Sequence, residues 1–149
     1  MNNTYKTAAG GLTVTFAATD QGLFLAGLTD EVSSRTYLRE IQPLFSLEYE
    51  CLESGERATV SSADGWTVAA VDAGKDARQF ILSGCAKLPD VIVTLTVRGG
   101  DTRIVYELSL SSANAAVTLT ACDWPNLCFD KAEKRVFFNP YGPGEVWPS

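Results

Sequence analysis

Histidine is absent from this 149-residue chain, and that removes several chemistries at once. No Ser–His or Cys–His pair can form, and there is no GxSxG stretch, so serine-type hydrolysis is excluded on inventory. Zinc sites draw on clustered cysteine and histidine. Here the four cysteines, Cys51, Cys85, Cys122 and Cys128, form no CxxC pair, and no metal site is expected. Cys122 and Cys128 are close enough in sequence to meet across a turn at Trp124-Pro125. The preferred reading is four reduced thiols, packed mostly as small hydrophobes.

Positive charge is also scarce. Twelve Lys and Arg stand against eighteen Asp and Glu, for a net charge of −6, and the cations are scattered. Without a basic stripe, neither nucleic acid nor an anionic membrane is an expected partner. No apolar run approaches the ~20 residues that span a bilayer. The first residues, MNNTYKTAAGG, have one lysine and no apolar segment, unlike a signal peptide. No Gly-rich phosphate loop of the Walker or dinucleotide type is present, so no cofactor is expected. Asp20, Asp30, Glu31 and Asp130 do not have calcium-loop spacing. There is also no repeat, no low-complexity segment and no convincing helix.

What the chain has is alternation. Hydrophobic residues make up 46%, enough for a packed core and against disorder. Residues 91–122 read VIVTLTVR, GG, DTRIVYELSL, a polar break and VTLTAC, with apolar residues at every second position, the period of a half-buried strand. Gly99-Gly100 reads as a two-residue hairpin turn. It would pair Arg98 with Asp101, Val97 with Thr102, Leu95 with Ile104, Val93 with Tyr106, and Val91 with Leu108. Valine, leucine, isoleucine and tyrosine then share one face. Thr94, Thr96, Arg98, Arg103 and Glu107 share the other, with Ile92 and Val105 among them. The third segment keeps the pattern, and the expectation is a three-stranded meander.

Taken in order, residues 1–11 read as a flexible tail and 12–149 as one domain. Leu12, Val14 and Phe16 open a first strand. Residues 19–22 form a turn and 23–29 a second strand, giving a hairpin. Residues 30–42 are polar and read as a long loop that Pro43 ends. Further strands are expected at 44–49, weakly at 58–61, then from Trp66, at 79–83, in the meander, and at 135–138. Trp66 begins a strand and is expected in the core. Nine or ten short strands with frequent turns predict an all-β, two-sheet antiparallel sandwich.

Three pieces carry a resemblance. They are GLFLAGLTD at 22–30 with the later PLF at 43–45, the meander leading into Asp123-Trp124-Pro125, and FFNPYGPG at 137–144. In that order they resemble the N-terminal galactose-mutarotase-like supersandwich domain of bacterial glycoside hydrolases with a (β/α)8 catalytic barrel. The likeness runs from about Leu12 onward. It implies a non-catalytic domain that supports the barrel and borders its carbohydrate site, with the catalytic carboxylates in the barrel. It also implies that the protein continues past Ser149.

The residues themselves argue against catalysis by this chain alone. Mutarotation in that group uses histidine with a carboxylate, and histidine is missing. A glycosidase needs two carboxylates a few ångströms apart. Glu48, Glu50, Glu107 and Asp123 are the candidates, and carboxylates on a sandwich surface are usually only solvated. Carbohydrate binding is the softer possibility. Trp124, Trp147 and Tyr141 lie in Pro/Gly-rich stretches beside Asp123, Asn126 and Asn139, a mixture that stacks on sugar faces and bonds hydroxyls. The competing reading, preferred because tryptophan is mostly buried, packs these aromatics on the sandwich or on a neighbouring domain. The leading expectation is a supporting domain of a glycoside hydrolase, with carbohydrate or an adjacent catalytic domain as partner. The alternative is an independent carbohydrate-binding or protein-interaction module.

Overall fold

The computed structural model describes residues 3–38, 40–74, 76–112 and 116–126, and the backbone of two short strands beyond them. In chain order the strands are β1 (Asn3–Ala9), β2 (Leu12–Thr19), β3 (Gly22–Asp30), β4 (Arg35–Thr36), β5 (Gln42–Pro43), β6 (Ser46–Cys51), β7 (Arg57–Ser61), β8 (Thr67–Asp72), β9 (Ala77–Ser83), β10 (Val91–Gly99), β11 (Ile104–Ser112), β12 (Val117–Asp123), β13 (Val136–Phe138) and β14 (Val146–Pro148). Every pairing among them is antiparallel. The fold is an all-β sandwich, as the alternation predicts. Among the described residues no helix is long and apolar enough to cross a membrane.

Strands β1 to β4 make one sheet in sequence order, with β5 also on β3. A second sheet runs β11-β10-β9-β8, and a third runs β12-β6-β7. The first two face each other. Phe16 of β2 meets Phe80 of β9 at 5.2 Å between ring centroids, and Tyr5 of β1 meets the same ring edge-on at 5.4 Å. The third sheet adds Leu47 and Val60 to this core, where both are fully buried.

Four expectations are corrected. First, residues 3–9 are not a tail. They form β1, paired along its length with β2. Tyr5 is its only large inward residue, so its alternation carried little apolar signal. The turn from β1 to β2 is Gly10-Gly11, with φ of 56° and 83°, the double positive φ that a two-residue primed turn demands.

Second, Gly99-Gly100 is not such a turn. Gly99 pairs with Ile104, so residues 100–103 form a four-residue loop closed by a Gly100 N–H to Arg103 C=O bond of 2.9 Å. Gly99 is required for another reason: a Cβ there would overlap the carbonyl oxygen of Ala8. The register therefore moves by four. Val93 faces Leu110, Leu95 faces Leu108, and Val97 faces Tyr106. Four is even, so each side chain keeps its predicted face. Val91, Val93, Leu95 and Val97 are all buried.

Third, of the three strands expected to form a meander over residues 91–122, only β10 and β11 pair, and they extend a meander that begins with β8 and β9. After β11 the chain leaves that sheet, and β12 pairs with β6, with a bulge between Leu119 and Ala121. The described strands thus fall into sheets of five, four, three and two strands, the first three of which line the core of the sandwich. Fourth, ten of the fourteen strands were anticipated. Besides β1, the additions are β14 and the two-residue β4 and β5, which carry too little sequence for periodicity to register.

Candidate functional site

The expected sugar contacts do not converge among the described residues. Trp124 is half-buried, with its ring edge-on to Tyr106 at 5.8 Å. It is one of the partly buried side chains packed against the core. Asp123 is exposed at the end of β12, and the nearest hydroxyl, that of Ser46, is 3.5 Å from its carboxylate. Asn126 is half-buried, and its N–H donates to the Leu44 carbonyl at 2.9 Å. Trp147 lies on β14 opposite Phe137. Its side chain, together with Tyr141 and Asn139, lies outside the described residues.

Of the candidate carboxylates, Glu48 and Glu50 stand two apart on β6 and Asp123 pairs with Ser46 of the same strand, while Glu107 lies on β11. Glu50 holds Arg57 at 2.8 Å, and Glu107 holds Arg98 at 3.3 Å. Glu107 stands opposite Thr96, not Ile92 as the shorter turn would have it. Glu48 faces Thr59 on the exposed side of β6. Asp30 turns back on its own loop, where its carboxylate accepts bonds from the Val32 N–H at 2.9 Å and the Ser33 hydroxyl at 2.7 Å. The Ser33 hydroxyl, more than any other group, holds its pKa below the ordinary value. Among the described residues no three metal-ligating side chains gather. Cys51, Cys85 and Cys122 are free thiols, while Cys128 lies outside the described residues.

Two features were not anticipated. The first is the SSADGW segment, residues 61–66, which joins the weakly expected strand at 58–61 to the one expected from Trp66 and for which no role was expected. Ser62 is fully buried. Its hydroxyl accepts the Leu44 N–H at 2.7 Å and donates to the Leu23 carbonyl, while its own carbonyl accepts the Leu23 N–H at 2.9 Å. One serine thus ties β3, the start of β6 and the end of β7 together. Beside it the Asp64 carboxylate accepts bonds from the Ser61 N–H at 2.6 Å, the Ser61 hydroxyl at 2.8 Å and the Lys87 ammonium at 2.8 Å. The serine-to-aspartate spacing of three was the available signal.

The Lys87 hydrogen bond is the largest of the effects that lower the Asp64 pKa below its ordinary 3.8, with the Ser61 bonds adding to it against partial burial. A depressed folded-state pKa stabilises the fold above the unfolded value, and that contribution is lost as pH falls through the folded one. Asp64→Asn is therefore expected to destabilise the protein at pH 7 and to lose that deficit below pH ~3.8. Urea midpoints measured from pH 7 down to pH 3 for both proteins check this. A constant gap over that range would show that the carboxylate charge contributes nothing.

The second feature is a cleft of about 330 Å³. Leu12, Val14, Leu25 and Leu28 of β2 and β3 form one wall, and Thr102, Arg103, Ile104 and Tyr106 form the other, with Leu44 and Pro125 between. Turn and loop are held close here, because Gly10 lies against the backbone of Thr102. Burial of Tyr106 pushes its pKa up to about 12, so its hydroxyl stays protonated at neutral pH. Comparison with known families, curated proteins and solved structures finds no match for this chain.

Proposed function

We propose that this chain is a non-catalytic β-sandwich domain that supports a larger carbohydrate-active enzyme of the glycoside hydrolase type, packing against its (β/α)8 catalytic domain. The supersandwich relationship belongs to the same proposal. The observation that carries it is the outer face of the β8–β11 sheet. Across four strands that face presents Ala69, Val71, Ile81, Ile92 and Val105 among serine, threonine and Gln79, and among the described residues its ion pair is Arg98–Glu107. Val71, Ile92 and Val105 are 46%, 43% and 37% exposed. A broad, flat and sparsely charged face of this kind suits burial against a second domain. The resemblance of residues 22–30 and 123–125 to such enzymes supplies the identity of that domain.

The reading is tested by the size of the native protein in lysate of its source, detected with antibody against this domain. The expected band is several times larger than 16.0 kDa. A band near 16.0 kDa overturns the proposal.

A further inference from the structure

We propose that the cleft between the β2–β3 hairpin and residues 102–106 is a binding site for a small carboxylate with an apolar body, such as a medium-chain fatty acid. Its volume of about 330 Å³ falls within the range of small-ligand pockets, which are apolar with a few polar groups that set orientation. The walls are leucine, valine and isoleucine, and only Thr102, Arg103 and Tyr106 bring polar atoms.

Among the described residues, two of those three are donors without a partner. Arg103 is exposed, and none of the ion pairs among the described residues includes it, although Arg57, Arg78, Lys87 and Arg98 each have a carboxylate. The Tyr106 hydroxyl has no partner among the described residues either. A guanidinium offers a carboxylate two parallel N–H bonds. Tyr106 lines the same cleft, and its protonated phenol can donate a further bond without a charge to repel the anion. Charge complementarity therefore selects an anionic head at this mouth, while the leucine walls select an alkyl or aryl body. A sugar, with hydroxyls on every side, would leave most of them unpaired here.

The test is isothermal titration of the full chain with octanoate and, separately, with octanol. Octanoate is expected to bind saturably, with an affinity at least tenfold above that of octanol. Arg103→Gln should remove that preference and leave octanol unchanged. Leu28→Trp, which fills the cleft from a half-buried position, should abolish binding of both. Circular dichroism melts confirm that each variant is folded. Three results would overturn the proposal: no saturable octanoate binding, equal affinity for the two ligands, or octanoate binding that survives both substitutions. None of these depends on whether the chain belongs to a larger enzyme.

Discussion

Gly22→Ala is expected to destabilise the protein by about 3 kcal/mol or more, where Gly74→Ala costs only about 1 kcal/mol. The two glycines share a positive φ, 134° and 127°, so L-residue strain is common to both. They differ in their surroundings. A Cβ on Gly74 meets nothing within 4 Å, whereas one on Gly22 would overlap the Ser62 carbonyl oxygen. That oxygen accepts the Leu23 N–H, and the Ser62 N–H donates to Phe45 at 3.0 Å. Relief of the clash must therefore move either the β2–β3 turn or the buried serine that joins three strands. Each buried hydrogen bond left open costs about 1–3 kcal/mol. Urea unfolding of both variants measures the difference. Equal losses would mean that the turn gives way freely and that the close approach has no energetic consequence.

These glycines also show where the sequence was readable. A Gly-Gly pair between two alternating segments predicts a tight hairpin, the reading given to 99–100, whereas 10–11 falls in the expected tail because β1 alternates so weakly. The pair at 10–11 makes one. The pair at 99–100 does not, because Gly99 is occupied by a different need, the approach of the Ala8 backbone. Nothing local distinguishes the two, since the deciding atom lies on β1, some ninety residues away. Face assignment survived this error because burial follows parity along β10, which does not depend on the turn. The pairing of β12 with β6 was hidden for a related reason. Alternation reports that a strand has one buried side but not which neighbour it bonds.

The candidate site was less legible than the fold. Tryptophan beside aspartate, proline and asparagine is a composition that both sugar platforms and packed sheet ends share. Trp124 packs against the core with Tyr106 5.8 Å away between ring centroids, a contact between the ends of two different sheets. The cleft was invisible for the same cause. Its walls come from residues 12–28 and 102–106, which are distant in sequence and meet through core packing such as Phe16 on Tyr106 and through the Gly10–Thr102 approach. Trp66 was the easier case, because an aromatic at the head of an alternating strand has only the core to face.

Trp66 is also where the next largest loss is expected. It is 1% exposed, stands edge-on to Phe45 at 6.4 Å, and its indole N–H donates to the Ser61 carbonyl at 2.8 Å. Trp66→Ala removes a large buried ring and leaves a cavity, at a cost of about 3–5 kcal/mol. Trp66→Phe keeps most of the aromatic volume against Phe45 but leaves the Ser61 carbonyl without its indole partner. That substitution is expected to cost about 1–3 kcal/mol. The gap between the two separates packing from hydrogen bonding, and both are read from denaturant midpoints at constant slope. A domain of ordinary stability, about 5–15 kcal/mol, would lose a large share of it in the alanine variant. If phenylalanine proved as damaging as alanine, the anchor of residues 61–66 would be the indole hydrogen bond rather than the ring. The segment that carries Ser62 and Asp64 would then be held mainly by polar contacts.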